Sequence, residues 1–246
     1  MIRSRRGLIA TFVLTIILGL IIMFPARVAI GWFVPAGIPV SGIRGSVWNG
    51  SVNESAVDGL YLRDIHWRLN ALRLLTGKIS YRVAATPASG FFESDISVGF
   101  DGELSMSQLT AALPLELFAE TTGLPGLRGN ASLDFERVKL VDGLAIVADG
   151  TIQVDNLIVP VVSRDSLGGY KAEFFTQNNG ISASIEDTDG VLELAGSLQL
   201  RTDRSYEFVA LVIAKPQTPK GIRDQLRFLP PANDRGQQEL RLEGIL

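Results

Sequence analysis

The chain has no cysteine and one histidine in 246 residues. The first absence excludes disulfides, thiolate nucleophiles and cysteine metal sites. The second leaves His66 without a histidine partner for a metal, which needs several convergent ligands. His66 lies in Asp64-Ile65-His66-Trp67, where alternation turns it away from Ile65 and Trp67. No nucleophile motif accompanies it, so a solvated strand histidine is the plain reading. Carboxylates cluster locally in residues 186–190, without the spacing of a calcium loop. Gly168-Gly169 lacks Walker or Rossmann surroundings. Catalytic residues, metal ligands and cofactor sites are therefore expected to be none, and the chain is read as no enzyme.

Basic residues, 23 against 26 acidic, are slightly outnumbered. The overall net charge is −3, and Arg3, Arg5, Arg6 and Arg27 lie in or beside an apolar run that holds no acidic residue. The remainder is more acidic still, a poor surface for nucleic acid.

What is present begins with that run. Residues 8–24 carry no charged side chain, with Arg3, Arg5 and Arg6 before them and Pro25 and Arg27 after. The length is near the lower limit for crossing a bilayer core of about 30 Å. The arginines predict a cytoplasmic N-terminus. A cleaved signal peptide is the rival. A cut after Ala26 would place Phe24, and one after Ala29 would place Arg27, where a small residue is needed. The expected organisation is a cytoplasmic stub at 1–7, a transmembrane signal-anchor helix at 8–24, a linker at 25–40 and a periplasmic antiparallel β domain at 41–246. The expected location is the inner membrane, single-pass.

Beyond the run, alternation of period two dominates. Ala131, Leu133 and Phe135 oppose Ser132, Asp134 and Glu136, and similar patterns fill 191–201 and 204–214. Such alternation marks antiparallel strands with one buried and one wetter face. Asp-Gly pairs at 58, 101, 142, 149 and 189 supply hairpin turns. Strands are predicted near 45–57, 60–69, 78–86, 91–101, 129–137, 140–148, 150–159, 170–176, 180–186, 191–201, 204–214 and 236–245. Two short helices are predicted. One covers 107–122, capped by Ser107, striped by Leu109, Leu113, Leu117 and Phe118 and interrupted by Pro114. The other covers 219–228. The leucines at 69, 72, 74 and 75 before Gly77 read either as a plug at one end of the sheet or as a corner that contacts lipid or a partner.

Three segments resemble the type II secretion system protein N family. The first is Gly42, Gly45, Val47, Trp48 and Gly50. The second is Ile65, Trp67 and Leu69, followed by Leu72, Leu74, Leu75, Gly77 and Ile79. The third is Asp234, Arg235 and Gly236, then Leu240 and Gly244. The chain departs at Asn70-Ala71, where members often carry proline, and at Pro230-Pro231, where a glycine is expected. The resemblance implies an accessory component of the general secretory pathway of a Gram-negative bacterium. Its partners would be the inner-membrane platform proteins and the outer-membrane secretin. It implies a curved, meander-like sheet distantly similar to AsmA-like proteins. The alternative function is then a lipid-binding or lipid-transfer groove, with a periplasmic hydrolase as a third reading. Trp48 and Trp67 read as core anchors or as interface residues.

Overall fold

Antiparallel pairing carries the chain from residue 40 to residue 245 in the computed structural model. The model describes residues 11–16, 19–20, 22–34, 37–57, 60–87, 89–99, 102–120, 122–177 and 180–245. Among these, fourteen strands form one sheet. They are β1 (Val40–Ser41), β2 (Arg44–Gly45), β3 (Asn49–Val57), β4 (Leu60–Leu69), β5 (Ile79–Pro87), β6 (Phe91–Val98) and β7 (Leu104–Pro114). They continue as β8 (Arg128–Val141), β9 (Leu144–Ile158), β10 (Gly168–Gln177), β11 (Gly180–Asp187), β12 (Leu192–Arg201), β13 (Ser205–Ala214) and β14 (Gln238–Ile245). From β3 onward each strand pairs with the next, while β1 and β2 both pair with β3. The helices are α1 (Ala26–Phe33) and α2 (Lys220–Leu226), with 3-10 turns at Ala71–Thr76 and Leu115–Phe118.

Directly opposed residues share a face, and the registers sort the side chains into two unlike faces. On one, Trp67 opposes Val83, Leu109 opposes Phe135, Ile181 opposes Leu200 and Leu198 opposes Phe208. Leu109, Phe135, Ala148 and Ile181 are its buried centre, and Phe174 stacks on Phe135 with ring centroids 5.7 Å apart. On the other face, Arg82 pairs with Asp95, Arg137 with Asp149, and Glu207 with both Arg201 and Arg241. Bulges at several register shifts bend the ladder, and β9 approaches β11 across β10.

No second layer of described residues closes the apolar face. The accessible surface is 15,888 Å², against about 10,700 Å² for a compact chain of this mass. Short loops and α2 cover parts of it, burying Leu127, Leu167 and Ile222.

Three expectations are corrected. The transmembrane helix at 8–24 does not stand: among the described residues no helix is long and apolar enough to cross a membrane. Residues 11–16 are helical, but the helical stretch breaks before Pro25, and α1 begins anew at Ala26. The single-pass inner-membrane location falls with it. Residues 1–10, which include Arg3, Arg5 and Arg6, lie outside the described residues.

The helix at 107–122 is mostly strand. Leu109, Leu113 and Leu117 are spaced by four, which satisfies a helical stripe and a period-two strand alike, and cross-strand pairing decides. Leu109 and Leu113 face Phe135 and Ala131 of β8. Ser107 caps nothing; its hydroxyl donates to the Asp95 carbonyl at 3.4 Å. Helix survives as the single 3-10 turn after Pro114.

The hairpin expected at Asp149-Gly150 is the interior of β9, and the β8–β9 turn lies at Asp142-Gly143, where both residues have positive φ. Gly150 lies directly against β8. A Cβ there would sit 2.3 Å from the Asp134 carbonyl oxygen and 2.5 Å from the Phe135 Cα. Past this point β9 leaves the β10 ladder, and side chains take over. The Ala148 N–H donates to Thr176 Oγ1, and the Thr176 N–H donates to Asp149 Oδ1. Gly150→Ala should therefore push β9 off β8 and cost about 2 kcal/mol or more. The check is a urea unfolding curve, with the midpoint falling well below that of the wild type.

Candidate functional site

Gly45, Trp48 and Gly50 of the first segment and Trp67 of the second converge on one corner of the sheet. Gly45 and Gly50 oppose each other across β2 and β3. Gly50 also opposes Trp67 of β4, and the indole lies across it. A Cβ on Gly50 would come within 2.4 Å of Trp67 Cζ2 and 2.7 Å of the Arg44 carbonyl oxygen, so no larger residue fits without moving the ring. The indole Nε1 donates to the carbonyls of Val47 at 3.1 Å and Ser46 at 3.3 Å. That bond ties β4 to the 46–48 loop. The Leu69 N–H closes the same loop on the Trp48 carbonyl at 2.6 Å.

The loop in turn holds the N-terminal segment. The Val47 N–H donates to the Phe24 carbonyl at 3.0 Å, and Pro25 bridges Ser46. This seats α1 on the apolar face, where Ala26 is 1% exposed. An apolar cleft of about 290 Å³ remains between α1 and the sheet, lined by Ala29, Ile30, Trp67, Tyr81, Val83 and Ile96 among others. Trp67 and Trp48 are both half-buried.

Other motif positions lie elsewhere. Gly42 precedes β2 against the Asn53 side chain. Gly77 ends the 3-10 turn Ala71–Thr76 in a left-handed conformation. Leu72 and Leu75 on that turn are 77% and 86% exposed, so the turn is no plug. Asp234 and Gly236 sit in an exposed turn far from Trp67. Asn233, which sequence reading passed over, organises it: its Oδ1 accepts from the N–H groups of Arg235 and Gln237. Gly244 lies in β14 against the Tyr206 ring. The positions therefore build separate pieces of architecture and do not form one site.

The polar face opposite Trp67 holds a cavity of about 590 Å³ lined by His66, Arg68, Arg82, Glu93 and Asp95, with Leu69 and Leu72 at its rim. Arg82 grips Asp95 in a bidentate pair at 2.8 and 3.2 Å. These groups are far apart in sequence, and their meeting depends on the β4–β5–β6 register. Among the described residues no three His, Asp or Glu side chains gather as a metal would require.

The carboxylate with the clearest environmental effect, Asp187, works as a clip. It joins the Lys215 ammonium and accepts the Leu194 N–H at 2.8 Å, while Lys215 also donates to the Gly190 carbonyl. Burial acts to raise its pKa, but the Lys215 ion pair and the Leu194 N–H outweigh it and hold the carboxyl below the ordinary value. A lowered pKa stabilises the fold above the unfolded carboxyl's pKa, and the gain is lost as the pH falls through the folded one. Asp187→Asn should cost about 1 kcal/mol at pH 7. That deficit should shrink below about pH 4, as urea midpoints of both proteins at pH 7 and pH 3 will read.

Fold and corner together define a protein built on one open antiparallel meander, its N-terminal segment locked by a tryptophan on a glycine. The family described as type II secretion system (T2SS), protein N, matches residues 36–241, and the chain belongs to that family. It is 22% identical to the type II secretion system protein N of Vibrio cholerae serotype O1 (strain ATCC 39315 / El Tor Inaba N16961), over 92% of each chain. It is 21% identical to the protein of the same name from Pectobacterium carotovorum subsp. carotovorum, over 99% of each. No solved structure matches the chain. The chain is thus a component of the type II secretion system.

Proposed function

We propose that the chain is a non-catalytic accessory component that serves the secretion system as a docking scaffold. Its partners on this reading are the platform proteins and, second, the secretin. The observation that carries the reading is the edge of β14, which ends the strand order and, among the described residues, pairs with β13 alone. An unpaired edge offers backbone donors and acceptors to a partner strand. The side chains of β14 are largely exposed, Leu242 among them at 52%. Leu242→Glu should leave the domain folded, because water already reaches the side chain. It should lower co-purification of the platform proteins and secretion of an exported protein together. Unchanged co-purification would remove β14 as the docking edge.

A second reading, an acyl-chain groove, draws on the uncovered apolar face. Leu194, Leu198 and Phe208 there are only half-buried, and the described residues supply no layer above them. Leu198→Asp should therefore fold, at a cost of about 1–2 kcal/mol. On the scaffold reading the purified wild type carries no stoichiometric phospholipid. Phospholipid that co-purifies with the wild type and is lost in folded Leu198→Asp would favour the groove.

A further inference from the structure

We infer that the end of the sheet bearing the 3-10 turn Ala71–Thr76 rests on the surface of a lipid bilayer containing anionic phospholipid. The inference goes beyond the docking role, since it concerns a different end and face of the molecule. It requires no membrane crossing.

Three observations place apolar groups together at this end. Leu72 and Leu75 project from the turn with most of their surface in water, and Leu74 between them is 43% exposed. Ile79 and Val98, a cross-strand pair on the adjoining rim, are also exposed. The N-terminal segment leaves here too. Phe24 is bonded to Val47, in the loop whose Trp48 carbonyl accepts the Leu69 N–H, two residues before the turn begins. The exposed side chains of Phe12, Leu14, Ile16, Leu20, Ile22 and Met23 lie on that segment. Isolated exposed leucines are ordinary, whereas a contiguous apolar end marks an interaction surface.

Charge selects the bilayer as occupant. Arg68 and Arg73 flank the leucines, and Lys78 and Lys139 stand nearby, sharing Glu103. Arg68 faces the 590 Å³ cavity rimmed by Leu69 and Leu72, and it forms no ion pair among the described residues. Leucines set among guanidinium and ammonium groups match the acyl and phosphate layers of an interface, where long basic side chains reach back to the headgroups. The whole chain carries a net charge of −3, so attraction to anionic lipid at this end comes from its local basic groups and not from the charge of the protein as a whole.

The absence of cysteine makes the test direct. An environment-sensitive dye is attached to the full chain at Leu75→Cys, and in a second protein at Gln217→Cys, an exposed site at the opposite end of the sheet. Each is mixed with vesicles of phosphatidylethanolamine and phosphatidylglycerol, some carrying nitroxide at the headgroup boundary. The dye at 75 is expected to shift to the blue and be quenched by the nitroxide lipid, while that at 217 is unmoved. An unshifted, unquenched dye at 75 on vesicle-bound protein overturns the inference, because the chain would then be held by its N-terminal segment alone. A shift at 75 that appears with platform proteins and not with vesicles also overturns it, and assigns the corner to a protein partner.

Discussion

A single-layer sheet must satisfy its backbone along the whole ladder yet can hide neither face completely, and the other features follow from that constraint. Thirteen of the strands lie on one continuous path, so the backbone is well served. Burial is poor by comparison. Many apolar side chains on the Phe135 side stop at half-buried, and the centre is a narrow band from Leu109 to Ile181. Hydrophobic stabilisation scales with area removed from water, so this sheet leans more than a two-layer domain does on close backbone approach. The cross-strand ion pairs of the polar face keep their arginines largely in water, where each pair contributes modestly.

Close approach explains where the glycines matter. At Gly50 the absent side chain makes room for an indole, which can then bond the loop that grips Phe24 and Pro25. At Gly150 it lets one strand lie on its neighbour through a bend. In both places a tiny residue decides the position of a large element. In the first, the chain of contacts from Gly50 through Trp67 and Val47 is what fixes α1 on the sheet.

Much of this architecture was legible from residues alone. Period-two alternation located β4, β5 and β10 to β13 within a residue or two, because strands with one wet face advertise themselves. The family resemblance agrees with the match of residues 36–241 to the protein N family. The misreadings have physical causes. A leucine spacing of four fits helix and strand alike, and Phe118 beside Leu117 adds to the helical pattern, so 107–122 reads as a helix although cross-strand pairing makes its first half β7. Asp-Gly is a turn signal at 142 and a bend inside a strand at 149, and the difference lies in what β8 places against it. Local hydropathy at 8–24 measured apolarity without measuring helix length, and among the described residues no helix is long and apolar enough to cross a membrane. The cavity at His66 and Arg68 was illegible because it depends on the register of three strands. Asn233 went unread because an Asx turn has a weak sequence signature beside the acidic and glycine residues that follow it.

The meander has a kinetic meaning too. Nearly all ladder contacts join strands adjacent in sequence, and closing such short loops costs little entropy. The sheet can therefore grow by adding one hairpin at a time, as a linear repeat array does, with cooperativity passed from neighbour to neighbour. Where β9 parts from β10 beyond Gly150, that transmission narrows to the Thr176 and Asp149 side chains at one end of the strand pair. Fraying of this strand pair is therefore expected to start at that end, ahead of the paired stretch from Gly150 to Leu157.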